Sequence, residues 1–270
     1  MTTAAPPGGT ADARFGHVQS VWRALDLLEA LAGEEPAGLV ELAGRAGLQP
    51  STARRLLATM AARGYVVQSR RSGGYLLGHR ALELRGPVER RHGRLRRIAR
   101  PHLERARRVC GETVSLVVPV ETTSVLWVDQ ALGAPPAASR IGRCAPAHAT
   151  APGKALLAGH TPGAIARRYS ALALEPATPC TIVTLDALGA DLTRTRDRGF
   201  AVEEEELEPG VAAVAAAVAL DGAPVAAIAV SGPADRLRGV GLGELGEMVS
   251  IFAGELAGDL ARTAAHPAAA

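Results

Sequence analysis

The sequence predicts an α+β protein of two domains joined by a helical linker. Its 270 residues exceed what one small hydrophobic core organises and suit two domains of ordinary size. Apolar residues follow a helical period over the first 80 residues, whereas strand-like runs alternate with helical segments beyond residue 110. The predicted divisions are a disordered tail at 1–16, a first domain at 17–79, a linker helix at 80–92, a second domain at 93–262 and a disordered tail at 263–270.

The charge of the chain is divided unevenly between its halves. Residues 1–109 contain 19 arginines and 9 acidic residues, a net charge of about +10, while the remainder contains 11 basic and 18 acidic residues, about −7. A basic half is typical of a domain that binds a polyanion such as nucleic acid. Because a solvated surface explains a charge imbalance equally well, the positions of the arginines decide between the two.

The first domain begins with three short helices. Apolar residues recur at three- and four-residue steps and predict a first helix that ends near Gly33. A second helix at 38–46 ends at Gly47, and a third begins after Pro50 and ends at Gly64. The predicted apolar stripe of the first helix comprises Val18, Val21, Trp22, Leu25, Leu28 and Leu31.

The third helix has one apolar and one polar face. Its predicted core face consists of Ala53, Leu56, Leu57 and Met60. The opposite face combines small and hydrogen-bonding side chains with arginines. A helix that enters a major groove about 12 Å wide needs short residues on its leading face and donors for phosphates and base edges. The arginines of this helix are therefore predicted to point outward.

Residues 65–78 predict a β-hairpin with Arg70 and Arg71 at its tip. Three short helices followed by such a hairpin form a winged helix-turn-helix, in which the third helix reads the major groove and the wing contacts the DNA backbone. A winged helix that docks onto a protein is the alternative. The candidate DNA-binding residues are Gln49, Ser51, Thr52, Arg54, Arg55, Thr59, Arg70 and Arg71.

The first domain resembles the DNA-binding domain of the IclR family of bacterial transcriptional regulators. The resemblance lies in "VWRALDLLEALA", "LVELAGRAGLQPSTARRLLATMAARGYVVQ" and "YLLGHRALEL". Family members carry a Ser-Thr pair and an Arg three residues later, which match Ser51, Thr52 and Arg55. The family's usual Pro-Lys is Gln49-Pro50 here, so one expected phosphate contact is absent and Arg54 is the candidate to replace it.

Ten arginines lie between residues 81 and 110. The pattern predicts two helices with a break near His92-Gly93. Either these arginines support DNA binding through their positive electrostatic field, or they form a solvated face. Helical spacing favours the solvated face, because it spreads the arginines around the helix axis.

The second domain is predicted to be built on a mainly antiparallel sheet. Strands are expected at 113–120, 124–131, 211–220 and 224–232, and two short turns join them in pairs. Helices are expected at 153–159, 162–172, 186–200 and 243–264. Strand pairs and separate helices of this kind indicate an α+β domain.

The second half also resembles the IclR family, through "RIGRCAPAHATAPGKALLAG", "RDRGFAVEEEELEPGV" and "AIAVSGP". The resemblance implies a GAF-like domain that binds a small effector and mediates oligomerisation. Ala213 and Ala229 stand where family members often have Cys or Ser, which disfavours a very small polar acid and favours an acid with an apolar or aromatic body. The candidate effector-binding residues are His148, Ala149, Thr150, Gly153, Ala213, Ala229 and Ser231.

The sequence gives little support for a phosphate-binding loop, a catalytic site or a metal or cofactor site. "APGK" fails the phosphate-loop template, because His148 replaces its first Gly and Ala155 follows the Lys. Lys154, the one lysine in the chain, lies at the start of a helix whose preceding loop can point backbone N–H groups at an anion, and Ser231 and the backbone of 148–153 are expected to hold the effector's polar end. The alternative is that Gly153 only permits the turn and Lys154 is an exposed charge. The "EEEE" run is not a catalytic pair, since alternate residues of a strand face opposite ways. No metal spacing, cofactor fingerprint, disulfide framework or membrane segment is predicted, so a cytoplasmic protein is expected.

The sequence therefore predicts a DNA-binding transcriptional regulator, with repression favoured, that acts as a homodimer or homotetramer on a double-stranded operator. It is not predicted to be an enzyme. Two alternatives stay open: a regulator whose sensor domain has lost its ligand, and a small-molecule enzyme or binding protein whose basic half docks onto a partner.

Overall fold

The protein divides into two compact units, Met1–Arg91 and His92–Ala270. The tail predicted at 1–16 and the residues from 266 onward lie outside the described part of the chain, as does Gly33. Residues 263–265 continue the last helix, so the predicted C-terminal tail begins too early. The computed structural model describes residues 18–31, 36–120, 123–133, 139–170 and 172–265, with the backbone alone at 85–90 and at 265.

The first unit has the predicted order of three helices and a hairpin. Leu27, Leu42 and Leu57 are fully buried where the helices meet, and Val66 extends this core into the hairpin. The two strands are antiparallel, with Val67 opposite Leu76. The elements are α1 (Gln19–Ala30), α2 (Leu39–Arg45), α3 (Pro50–Ala62), β1 (Val66–Gln68) and β2 (Tyr75–Leu77).

The predicted apolar stripe of α1 is largely wrong. Val18, Val21, Trp22 and Leu25 are between 44% and 64% exposed, whereas Leu27 and Leu31 are buried. The helix carries apolar residues on more than one side, and α2 and α3 cover the side that includes Leu27. Periodicity detected the helix but could not tell which side the neighbouring helices would cover.

The linker is one continuous helix, α4 (Arg80–Cys110), and the predicted break at His92-Gly93 is wrong. A glycine inside a helix costs only about 1 kcal/mol relative to alanine. The helix beyond it is stabilised by tertiary packing, because Ala99, Leu103 and Ala106 are fully buried.

The second unit is built on a six-stranded sheet with the order β5-β4-β3-β8-β7-β6, and all of these neighbouring pairs are antiparallel. The predicted α+β class is confirmed. The strands are β3 (Thr113–Val120), β4 (Ser124–Ala131), β5 (Cys144–Pro146), β6 (Ala201–Glu204), β7 (Val211–Leu220) and β8 (Ala223–Pro233). The helices after α4 are α5 (Ala151–Ala158), α6 (Pro162–Tyr169), α7 (Leu185–Arg198), α8 (Ala234–Val240) and α9 (Leu242–Ala265).

Each face of this sheet has its own apolar core. Leu116, Val214 and Ile228 pack with residues of α4 and α9 on one face. Val117 and Trp127 pack with α5, α6 and α7 on the other. Alternate residues of a strand therefore reach different layers. The predicted effector-binding residues of β7 and β8 lie on the α5 side.

Candidate nucleic-acid and effector sites

Helix α3 begins without a side-chain cap. Gln49 is the residue before the helix, its side chain makes no capping hydrogen bond, and Pro50 supplies a first position that needs no N–H partner. Ser51 is exposed and Thr52 is half-buried. Neither hydroxyl caps the start of the helix, and both lie on its polar side.

The two faces of α3 follow the sequence prediction. Ala53, Leu57 and Met60 are buried, and Leu56 is partly buried against the same core. The opposite side is open to solvent. Its exposed residues are Ser51, Arg54, Arg55, Ala58, Thr59 and Ala62.

The arginines of the first unit differ in their partners. Arg45 is held 2.5 Å from Glu41, and Arg80 is held 2.5 Å from Glu83. The side chains of Arg54 and Arg55 are exposed, and their guanidinium groups form no ion pair or hydrogen bond with any residue that the structure describes. Exposed guanidinium groups without an acidic neighbour are free to bind phosphate or guanine.

The hairpin presents a second pair of such arginines. Its turn is closed by backbone hydrogen bonds from Ser69 to Gly74 and from Gly73 to Ser69, and Gly73 has a φ of 71°. Arg70 and Arg71 are exposed at this tip and, within the described ranges, have no partner. The wing therefore carries two cations that the fold itself does not use.

Thr59 differs from its predicted hydrogen-bonding role. Its hydroxyl donates to the carbonyl oxygen of Arg55 at 2.9 Å. The single hydroxyl proton is thus engaged inside the helix. Thr59 cannot donate that proton to a phosphate.

Small residues cover the α5 side of the second sheet. Ala213 lies opposite Ser231, and Ala215 lies opposite Ala229 on the neighbouring strand. Residues directly opposite each other in an antiparallel pair share a face. We refer to Ala201, Ala213, Ala215 and Ala229 as the alanine floor; they form one buried cluster with Ala151 and Ala155 of α5.

Polar side chains border the alanine floor on two sides. Glu203 lies opposite Ala213, Thr113 lies opposite Ser231, and Ser115 lies opposite Ala229. Thr113 and Ser115 are buried and accept hydrogen bonds from Gly133 and Gln130. The hydroxyl of Ser231 is half-buried and has no hydrogen-bond partner among the residues described. It is therefore available to a ligand.

Glu203 is the residue that the sequence analysis missed. Its side chain is 4% exposed and accepts hydrogen bonds from the backbone N–H groups of Ala151, at 3.3 Å, and Leu207, at 3.2 Å. Burial raises the pKa of this carboxyl to about 7, against the smaller lowering effect of the two N–H donors. The strand period could have identified it, since Ala201 two residues earlier is buried on the same side.

Lys154 is buried, which contradicts the expectation of an exposed charge. It is 1% exposed, and its ammonium lies 2.5 Å from Glu206 and 3.2 Å from Asp191. A cation held by two buried carboxylates is part of the core. It does not meet an external anion, and it is not a surface charge.

The backbone donors at the start of α5 are also engaged. Gly153 N–H donates to Thr150 Oγ1 at 3.1 Å, and Lys154 N–H donates to the carbonyl of Thr150 at 2.9 Å. Ala151 N–H donates to Glu203. A Cβ at Gly153 would overlap the backbone of Ala147, so close packing requires this glycine. The N–H groups of Ala151 and Gly153, which belong to the backbone expected to hold an effector's polar end, are therefore already engaged within the protein.

His148 packs away from the alanine floor. It is 3% exposed, its Nε2 donates to the carbonyl of Glu175 at 3.1 Å, and its ring meets Tyr169 edge-on at 6.2 Å. Burial lowers the pKa of the imidazole. Ala149 is fully buried beside it. Of the predicted effector residues, Ala213, Ala229 and Ser231 come together, while Thr150 and Gly153 build the start of α5.

Neither a metal site nor a membrane-spanning helix occurs among the residues that the structure describes. These residues contain no group of three His, Cys, Asp or Glu side chains placed to hold a metal ion. No helix in the same ranges is long and apolar enough to cross a bilayer.

Two family models match the chain in order. The IclR helix-turn-helix domain matches residues 20–70, and the bacterial transcriptional regulator IclR C-terminal domain matches residues 90–257. The HTH-type transcriptional regulator BhcR of Paracoccus denitrificans is 34% identical over 257 residues, which cover 92% of this chain and 90% of that protein. The transcriptional repressor IclR of Escherichia coli is 34% identical over 254 residues, covering 90% of each.

Solved structures have the same fold. IclR of Thermotoga maritima superimposes with a TM-score of 0.71 at 27% identity, covering 90% of this chain and 99% of that one. An IclR homologue of Microbacterium hydrocarbonoxydans, complexed with 4-hydroxybenzoate, superimposes with a TM-score of 0.66 at 24% identity over 90% and 99% of the two chains. The winged first unit, the antiparallel second unit and these matches lead to one conclusion: the chain belongs to the IclR family of bacterial transcriptional regulators.

Proposed function

We propose that the chain is a cytoplasmic, sequence-specific DNA-binding repressor whose second unit senses a small organic acid. The observation that carries this proposal is the set of four exposed arginines on α3 and the wing that have no acidic partner in the described chain. By contrast, Arg45 is paired with Glu41 and Arg80 with Glu83. Exposed cations grouped on one helix face and one hairpin tip are the arrangement that a polyanion such as DNA requires.

We assign a role to seven of the eight predicted contact residues, all except Thr59. Ser51 and Arg55 meet base edges in the major groove, because they lie on the outermost line of α3. Thr52 and Arg54 flank that line and bind phosphates, and Gln49 adds a contact at the entry of the helix. The remaining contacts, to the DNA backbone, come from the wing residues Arg70 and Arg71.

The operator is expected to be a pseudo-palindrome. One recognition helix reads only a few base pairs, and a two-fold symmetric dimer doubles the readout. We therefore propose a homodimer, or a homotetramer made of two dimers. DNA binding is assigned to residues 17–79, the linker to 80–92, and effector binding with oligomerisation to 93–262.

The alanine floor suits the apolar or aromatic body of an acid. We place the effector's carboxylate at the hydroxyl of Ser231, because a carboxylate beside the carboxyl of Glu203 would be repelled once Glu203 ionises. A hydroxyl or other donor on the far side of the effector would meet Glu203. This orientation differs from the sequence-based one, since the backbone at the start of α5 is already engaged.

Effector binding changes the affinity for DNA only if it favours one of two arrangements of the DNA-binding units. The relative named as a repressor, IclR of Escherichia coli, supports repression for this chain. The second candidate is a regulator whose sensor domain has no ligand. The observation that favours it is that the carboxyl group of Glu203 already accepts a hydrogen bond from the backbone N–H of Ala151. An enzyme with a docking domain has no comparable support, because the named relatives are regulators.

Binding of the purified chain to the intergenic DNA upstream of its own gene tests the proposal. Between 50 and 200 mM salt we expect affinity to fall by about 10³- to 10⁵-fold, as for proteins that make 6 to 10 phosphate contacts. Salt-insensitive association, or turnover of a small molecule, would favour the enzyme or binding protein instead.

The effector is tested by calorimetric titration with 4-hydroxybenzoate, benzoate, pyruvate and glyoxylate. We expect an aromatic acid to bind and to change DNA affinity, and Ser231→Ala to weaken that binding. Micromolar affinity for glyoxylate or pyruvate would contradict the proposed effector class. DNA binding that responds to none of the four acids would favour a sensor without a ligand.

A further inference from the structure

The outer face of α3 changes character along its length. The first two turns carry Ser51 and the exposed arginines, which are hydrogen-bond donors. The last two turns carry Ala58, Thr59 and Ala62, all exposed. Arg55 and Thr59 lie one helical turn apart on the same side.

Thr59 presents only part of its chemistry to the outside. Its hydroxyl donates to the carbonyl of Arg55 at 2.9 Å, which turns this branch of Cβ toward the helix backbone. The hydroxyl proton cannot serve a phosphate or a base acceptor at the same time. The other branch is the γ-methyl group, which leaves the exposed side of this residue apolar. Beside it, Ala58 adds a second methyl group.

We propose that Thr59, together with Ala58, recognises the C5-methyl group of a thymine in each operator half-site. The inference rests on the proposed DNA-binding function. The thymine methyl is an apolar group on a base edge in the major groove, and Thr and Ala side chains contact it in other complexes. One helical turn is about 5.4 Å and one base-pair step about 3.4 Å, so this thymine lies one or two base pairs from the base that Arg55 reads.

The test uses deoxyuridine, which lacks only that methyl group. The segment of upstream DNA that the full-length protein protects is prepared as a short duplex. Each thymine of a half-site is replaced in turn by deoxyuridine. Thr59→Val keeps a methyl group and removes the hydroxyl, whereas Thr59→Ser keeps the hydroxyl and removes the methyl. Both variants are first checked for an unchanged melting temperature, as expected for an exposed position.

We expect one thymine position per half-site at which deoxyuridine weakens wild-type binding about fourfold, the effect of burying about one methyl group. Thr59→Val should bind like the wild type and keep this discrimination. Thr59→Ser should lose about fourfold per half-site and become indifferent to deoxyuridine at that position.

Three results would overturn the inference. Thr59→Ser could keep both the affinity and the discrimination, deoxyuridine could be without effect at every position, or Thr59→Val could lose as much affinity as Thr59→Ser. If the wild type bound the duplex specifically and Arg55→Ala weakened that binding, such results would leave the proposed function intact. Absence of specific binding by the wild type would overturn both.

Discussion

The carboxyl group of Glu203 should contribute a measurable part of the pH dependence of folding. Burial raises its pKa from 4.5 to about 7. A raised pKa means that the folded state binds the proton more tightly than the unfolded state does. The stabilisation is complete below about pH 4.5 and is lost as the pH rises to about 7. A shift of this size corresponds to about 3 kcal/mol, since one pKa unit equals about 1.36 kcal/mol.

Glu203→Gln removes this titration. The glutamine keeps one oxygen for the N–H groups of Ala151 and Leu207, so the variant loses one hydrogen bond, at a cost that does not vary with pH. Between pH 5 and pH 8 the free energy of unfolding of the wild type should therefore fall relative to the variant by up to about 3 kcal/mol.

The assay is urea denaturation at several pH values, followed by the fluorescence of Trp127, which is buried in the second unit. A Trp22→Phe change in both proteins removes the signal of the first unit. If the two unfolding free energies stay parallel from pH 5 to pH 8, Glu203 titrates alike in both states and its proposed environment is refuted.

Three further experiments test other parts of the structure. Lys154→Met should destabilise the second unit by about 3–5 kcal/mol in urea, because it leaves two buried carboxylates without their cation, and a loss below 1 kcal/mol would contradict the ion-pair assignment. Gly153→Ala should cost about 1–3 kcal/mol through overpacking, seen as a lower melting temperature, whereas Gly189→Ala, a matched control with open space, should not destabilise. Replacing Arg70 and Arg71 by Ala should lower the salt dependence of operator binding by about one unit of slope for each lost phosphate contact, and an unchanged slope would remove the wing from the interface.

The sequence predicted those elements whose signals are local. The strand at 113–120 is bounded as expected, because its apolar run ends in turn residues on both sides. The core face of α3 follows from the helical period alone. The outward direction of Arg54 and Arg55 follows from the same period.

The features that the sequence could not predict depend on residues far apart in the chain. Lys154 is buried because Glu206, 52 residues later, reaches it across the second unit. Glu203 differs from Glu204 only in which side of β6 it occupies, and that side is decided by the position of α5. The same reason explains α1, where the periodic pattern shows an apolar stripe but not which stripe α2 and α3 cover.

The central claim is that arginines without partners on α3 bind DNA. The most direct measurement is fluorescence anisotropy of the labelled operator duplex with wild type, Arg55→Ala and Arg45→Ala. We predict that Arg55→Ala weakens binding by about 1–3 kcal/mol without changing the melting temperature. Arg45→Ala should bind like the wild type, because that arginine is already paired with Glu41. Wild-type affinity in Arg55→Ala, or an equal loss in Arg45→Ala, would contradict the account.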